Sequence, residues 1–358
     1  MNKLTAKRFG TLLSTILLFS TVSFSQLGNV DFLKSVPADG AKFLQAYMAP
    51  WANAFGAGLN GGWYNTAKPH KLGGFDLTTS FNVTMIPSSF DKFDISTLKL
   101  TSLTGSGLTP SISGPNTAGQ QLTFKDPGTG TTLASYTAPP GTGWKIIPVP
   151  TAQIGIGLPF GTELKVRYIP KLKIKNGDIS LWGVGVVHSL LQYLPGNKLL
   201  PFDVSLFGGY TKLTGNIPTN LQPGTPQAYT TPYVATTSFN NQNLNMNVSA
   251  LNVSLLASLN VPVLTVYGGI GYCKTKTEMA FSGNFPTPGF VATPSPHSEY
   301  NNSGVITGDK FGKMSIENFS GMRANIGIRI KMAVITIHAD YTKAQYNVFS
   351  TGLGISFR

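Results

Sequence analysis

The last twelve residues, Asn347 to Arg358, constrain the chain most. Phe349, Thr351, Leu353, Ile355 and Phe357 alternate there with Val348, Ser350, Gly352, Gly354 and Ser356. Side chains alternate across an extended strand, so one face of this segment is an apolar ladder and the other is small or polar. A strand needs that pattern when lipid lies on one side and a polar interior on the other. The same period runs through Gly73 to Ile86, where Phe75, Leu77, Thr79, Phe81, Val83 and Met85 alternate with Asp76, Thr78, Ser80, Asn82 and Thr84. Past the N-terminus no run of about 18 apolar residues occurs, which excludes membrane-spanning helices.

Composition agrees. Charged residues are 11% of the 358 residues, against about 25% in soluble domains. The mean hydropathy of +0.06 is near neutral, because lipid-facing and interior-facing residues average out in a barrel. The formal charge of +13 can signal nucleic acid, but the basic residues sit at alternate strand positions rather than in a cluster or tail, and nucleic-acid binding is not expected. Cys273 is the only cysteine, so neither an internal disulfide nor a cysteine zinc site is available.

Residues 1–25 read as a secretory signal, with Lys3, Lys7 and Arg8 before the apolar run Leu12–Phe24 and cleavage before Gln26. Residues 26–53 form a helical or plug segment. Its helix is expected over Asp39–Ala54, capped by Asp39 and ended or kinked by Pro50. Residues 54–358 form the barrel. Twelve strands are counted, with ten or fourteen as alternatives, the first over Ala54–Thr66 and the third over Lys92–Leu103. An aromatic beside the carboxyl end resembles the terminal sorting strand that the barrel-insertion machinery reads. Counting back from it puts turns at Pro87, Pro159, Leu194–Pro201, Pro262 and Met332 in the periplasm. The turns near His70, Asn176 and Ala344 then lie outside with the long polar loops 105–144, 215–241 and 274–317. Short inner turns and long outer loops are the outer-membrane arrangement. An even strand count places the N-terminal helix at the periplasmic end. The fold expected is an all-β transmembrane antiparallel barrel with a short N-terminal plug helix.

The interior is where chemistry would sit. In Glu163–Lys175 the outward set is Leu164, Val166, Tyr168, Leu172 and Ile174, and Lys165, Arg167, Lys171, Lys173 and Lys175 point in. In Met322–Met332 the inward set is Arg323, Asn325, Arg329 and Lys331. Charges facing lipid would cost a few kcal/mol each at mid-membrane, so Lys165, Arg167, Lys171, Lys173, Arg323, Arg329 and Lys331 are assigned to the lumen as a candidate ligand-binding set. A basic lumen concentrates anions, unless its charges pair with Asp76, Glu163, Asp203 and Asp340 or line a packed interior. Trp63, Trp144, Trp182, Tyr168, Tyr193, Tyr210, Tyr272 and Tyr341 suit the membrane interfaces. No catalytic set is assigned. His338 and Asp340 share a face and His188 precedes Ser189, but serines are too many for that to select a triad. No two histidines have metal-ligand spacing, and no cofactor is implied.

Gly56 to His70, Gly161 to Pro170 and Gly183 to Leu190 resemble an uncharacterised family of outer-membrane barrel proteins, over most of the mature chain. The resemblance implies the outer membrane of a Gram-negative bacterium and carries no activity. A plug-like segment before a glycine-rich barrel is more distantly similar to the outer-membrane long-chain fatty-acid transporters, which have a plugged barrel, pockets for amphipathic acids and a lateral opening. This chain departs from them in strand number, and their binding residues have no match in it. The expected function is a monomeric, non-enzymatic barrel in outer-membrane lipid that binds or passes small hydrophobic or anionic solutes. The alternative is a closed structural barrel whose long loops hold a partner.

Overall fold

The computed structural model describes residues 37–125, 130–174, 177–195, 200–220, 239–291, 299–307, 311–316 and 319–357. The expected signal segment, Lys175 and the expected turn at Asp126-Pro127-Gly128 lie outside them. Ten strands form a closed antiparallel meander: β1 (Phe75–Met85), β2 (Ile146–Leu158), β3 (Thr162–Ile174), β4 (Gly177–Ser189), β5 (Phe202–Pro218), β6 (Asn243–Asn260), β7 (Leu264–Ser282), β8 (Ser320–Met332), β9 (Ile335–Lys343) and β10 (Asn347–Phe357). Each strand pairs with its sequence neighbour, and β1 closes the ring on β10 through eleven residue pairs from Phe75–Phe357 to Met85–Asn347. No edge is left at that closure.

The terminal alternation holds throughout. Phe349, Leu353, Ile355 and Phe357 are exposed on the outer wall, while Val348, Ser350, Gly354 and Ser356 are buried inside. Exposed apolar side chains continue around the barrel through Leu77, Ile154, Val184, Leu206, Val253, Ile270, Ile328 and Ile337. No described helix is long and apolar enough to cross a membrane. A closed barrel with a lipid-compatible outer wall is an outer-membrane protein.

Two expected strands are absent from the wall, which takes the count from twelve to ten. Lys92–Leu103 has a short strand, Lys92–Asp94, then a 3-10 turn over Ile95–Leu98, and ends where a two-residue strand, Leu103–Thr104, begins away from the wall. Asp94 starts that turn by accepting the Ser96 N–H at 2.9 Å, so local side-chain chemistry wins over the apolar alternation. Ala54–Thr66 is not a strand either. The helix α1 covers Pro37–Leu59, runs through Pro50, and is followed by an irregular stretch up to β1. Buried on nearly all sides, α1 shows no clean amphipathic stripe, and its Gly56, Ala57, Gly58 and Leu59 read as a wall segment.

Ten strands also change what lies at each end. β1 starts beside Phe357, so Pro87 and the whole excursion 86–145 stand at the long-loop end, with the turns after β3 and β9. The turns at Pro159, Leu190–Pro201, Pro262 and Ala333 share the other end with the C-terminus. His70 belongs to that turn end, not the loop end. α1 lies inside the barrel, beginning at the loop end and descending, rather than resting at the periplasmic end.

One interface between neighbouring strands is short. β2 and β3 are thirteen residues each, but their pairing runs only from Leu158–Thr162 to Gln153–Arg167. Above that rung β2 stays paired to β1 as far as Ile146, and β3 follows β4 through a bulge between Ile169 and Leu172. The Gly157 N–H donates to Gly74 and Lys145 C=O accepts from Ile86, so odd residues of β2 face β1 and even ones face β3. Pro148 and Pro150 are even, and their missing N–H groups lie along the unpaired margin. Pro170 lies in the opposing bulge. A seam therefore opens in the wall from mid-barrel to the loop end.

Candidate functional site: the plugged lumen

The segment from Pro37 to Gly74 fills the barrel interior and is held at three levels. At the loop end Asp39, in the first turn of α1, accepts the backbone N–H groups of Thr101, Ser102 and Leu103 at 2.8, 2.6 and 2.9 Å. Burial raises the pKa of its carboxyl, but these donors outweigh that and hold it below the usual 3.8. Lys42 donates to Lys99 C=O at 2.9 Å, and Tyr47 to Pro140 C=O at 2.8 Å. Around them Phe43, Leu44 and Tyr47 pack with Ile95, Ile112, Phe281, Phe285 and Phe311 from the excursion and the extended loop hairpins.

At mid-barrel two arginines meet the C-terminal end of α1. The last carbonyls of a helix have no internal partner and carry its partial negative charge. Arg167 donates to Leu59 C=O at 2.8 Å and Gly61 C=O at 2.7 Å, and Arg323 to Asn60 C=O at 2.7 Å. The Arg167 guanidinium also lies 3.7 Å from the centre of the Trp63 ring, a cation–π contact. Gln153 completes the group, accepting from Arg167 Nε at 3.1 Å and donating to Trp63 C=O at 3.1 Å. Gln153 and Arg167 are the last rung below the seam, so one side-chain clasp joins both of its margins to the plug. Trp63, expected at a membrane interface, is buried here instead. Gly185 of β4 and Gly209 of β5 make room for it, since a Cβ on either would stand 2.9–3.1 Å from its ring.

At the turn end His70 ties the plug to β3 and β10. Its N–H donates to Glu163 Oε2 at 3.0 Å, its Nδ1 lies 2.9 Å from the same oxygen, and its Nε2 lies 3.0 Å from Ser356 Oγ. Lys165 Nζ stands 2.5 Å from Glu163 Oε1 and 3.6 Å from Asp76 Oδ1, and Arg329 donates to Ser356 at 3.4 Å. Ligand-type atoms of His70, Asp76 and Glu163 lie within 4.8 Å of one another, a grouping able to hold a cation. The Lys165 ammonium already brings a positive charge against both carboxylates, so the cluster serves as a buried ion-pair lock.

The structure thus gathers Lys165, Arg167, Arg323 and Arg329 on the inner face, each buried and turned toward the plug or its lock. Lys331 is half-buried on the same face near the turn end. Lys171 and Lys173 are exposed: the bulge at Ile169–Leu172 inserts a residue and breaks the parity that would have turned them inward. Lys171 reaches Asp178 at 3.2 Å. Sequence reasoning missed Trp63, Gln153 and His70 as lumen residues. The bases were legible from strand parity, but their partners are backbone carbonyls, which leave no mark in a sequence. Between plug and wall, the space beside Asn60, Arg323 and Tyr346 is about 10 Å³, at the lower limit for one water. A larger cleft of about 520 Å³ opens on the excursion at the loop end, lined by Ser88, Asp91, Lys92, Ser113 and Lys145 among others. His338 lies 3.5 Å from Ser80 Oγ, but Asp340 is taken by Tyr267 at 3.0 Å.

Comparison with solved structures finds outer-membrane proteins. Ail, the attachment invasion locus protein of Yersinia pestis, is 6% identical, with 80% of this chain and 99% of Ail covered and a TM-score of 0.26. The translocator domain of the autotransporter NalP from Neisseria meningitidis is 11% identical over 86% of this chain and 93% of its own, with a TM-score of 0.26. A Pseudomonas aeruginosa FadL homologue is 10% identical over 79% and 90%, with a TM-score of 0.21. At such values neither function nor detailed geometry transfers. No curated protein matches the sequence. The model of a family of unknown function, DUF6588, matches residues 1–357, and the chain belongs to that family.

Proposed function

We propose that this barrel binds or passes a small amphipathic solute, hydrophobic along its body and anionic at one end, and that the structure is its plugged state. The observation that carries this reading is the β2–β3 seam. A barrel with a purely structural role gains nothing from an unpaired interval in its wall, where backbone polar groups next to lipid cost free energy. Here the interval has three prolines and is backed by α1, whose Gly58 approaches Val149 of β2 so closely that a Cβ would lie 2.5 Å from its side chain. Movement of α1 would join the lumen to the seam. The same movement would release Arg167 and Arg323 from the plug carbonyls, leaving two guanidinium groups for a carboxylate or phosphate.

The alternative, a permanently closed barrel that presents its loops to a partner, is favoured by the close packing of the excursion over α1 and by the cleft at its surface. Single-channel conductance in planar bilayers under a salt gradient separates the two. The chain refolded without residues 1–25 should be nearly silent, and further removal of residues 26–54 should give steps with anion preference, blocked by a long-chain carboxylate, both of which Arg167→Ala/Arg323→Ala should weaken. Silence from the folded deletion variant would sink the transport reading.

A further inference from the structure

The sequence Tyr-x-Lys occurs on three wall strands, as Tyr210-Thr211-Lys212 in β5, Tyr272-Cys273-Lys274 in β7 and Tyr341-Thr342-Lys343 in β9. Thr211, Cys273 and Thr342 are buried inside the barrel, so the tyrosine and lysine of each triplet are on the outer wall. All three strands run from the turn end toward the loop end. Each lysine therefore stands about 7 Å nearer the loop end than its tyrosine. The tyrosines continue a girdle with Trp182, whose ring centre is 5.6 Å from that of Tyr210. Below this girdle the same faces carry Leu206, Ile270 and Ile337. Aromatic rings mark the membrane interface, and a lysine is tolerated facing outward only at or beyond it. Lys212, Lys274 and Lys343 accordingly stand in the headgroup layer of the outer leaflet.

The band is also organised laterally. Lys212 is opposite Ser249, and Ser249 is opposite Lys276, which places two lysines in one row about 10 Å apart. Glu278 neutralises Lys276 at 2.6 Å. Among the described residues no carboxylate lies within the 4 Å of an ion pair from Lys212, Lys274 or Lys343, although Glu278 feels Lys212 at longer range. The three span β5 to β9, on the wall opposite the β2–β3 seam.

We infer that this band holds the phosphate groups of lipid headgroups in the outer leaflet. The lysines face sideways at interface depth rather than upward, which suits a lipid and not a soluble partner. A long flexible stem ending in a compact ammonium can lie along the acyl layer and reach a phosphate as a point charge.

The test uses the refolded chain in zwitterionic nanodiscs doped with diphosphorylated lipid A or with the same lipid dephosphorylated, and counts lipid retained by native mass spectrometry. Wild type should retain the phosphorylated lipid preferentially, by about fivefold for each lysine engaged, and the preference should fall at about 0.5 M salt. Lys212→Gln/Lys274→Gln/Lys343→Gln should lose it. Lys92→Gln/Lys99→Gln/Lys125→Gln, which removes the same charge from the loop excursion, should keep it. Equal retention of the two lipids by wild type, or an unchanged preference in the band variant, overturns the inference. If the triple variant does not fold, the three single variants replace it, each expected to lose part of the preference.

Discussion

The Arg167 guanidinium lies over the Trp63 ring at 3.7 Å while donating to the carbonyls of Leu59 and Gly61. One wall residue thus meets the helix end and the turn that follows it. Removing the side chain leaves two buried carbonyls and a ring face without their partner. Arg167→Ala should destabilise the plug by about 2–4 kcal/mol, read as a lower urea midpoint for Trp63 fluorescence. Arg167→Lys should recover only part, because one ammonium cannot span both carbonyls and the ring.

Room for Trp63 is a separate requirement. At Gly185 a Cβ would lie 2.9 Å from the indole and 3.1 Å from Phe207, so even a methyl group forces the ring to move. Gly185→Val should cost about 1–3 kcal/mol by overpacking. Gly208, one residue along from Gly209, has nothing within 4 Å of its Cβ position, and Gly208→Ala should leave the midpoint unchanged. Thermal unfolding of the two variants side by side checks this.

How much of this was legible depended on whether a residue's role is set by strand period. In β8 the parity alone put Arg323, Asn325 and Arg329 inside, and they are there. In β3 the same rule held to Arg167 and failed at Lys171 and Lys173, because one bulge residue reverses every later face. α1 continued through Pro50 because its packing in the lumen outweighs the lost hydrogen bond. Its last turn read as a strand because a fully enclosed helix needs no stripe. His70 was placed at the wrong end because one false strand, Lys92–Leu103, was counted between it and the C-terminus. The Tyr-x-Lys triplets were visible as letters, but only the register shows that all three face outward at one depth.

Asp39 predicts an acid-sensitive plug. Its folded pKa is depressed below 3.8 by three backbone donors at 101–103 that outweigh burial. A carboxylate whose folded pKa is lowered contributes stability above its unfolded value, and loses it as pH falls through the folded value. The tie between α1 and the excursion should therefore be constant near neutrality and weaken below about pH 3.8. Asp39→Asn keeps the shape without the charge and should show the weaker state at every pH. Hydrogen exchange of the Thr101–Leu103 amides against pH measures it, and a flat profile in wild type would contradict it.

The seam gives the last prediction. Pro148 and Pro150 remove two successive donors from the β3-facing margin of β2, and the ladder stops at Gln153–Arg167. Replacing both by valine restores two N–H groups on that margin and leaves a β-branched side chain suited to a strand. If the prolines hold the wall open, Pro148→Val/Pro150→Val should extend the ladder past Gln153. The new amides should then be protected from exchange, and a fluorescent long-chain carboxylate should enter more slowly. Pro170 remains as a second interruption, so closure should be partial and should increase when Pro170→Val is added. New amides that exchange freely in the folded variants would instead assign the opening to α1, whose bulk behind Val149 would be keeping the strands apart.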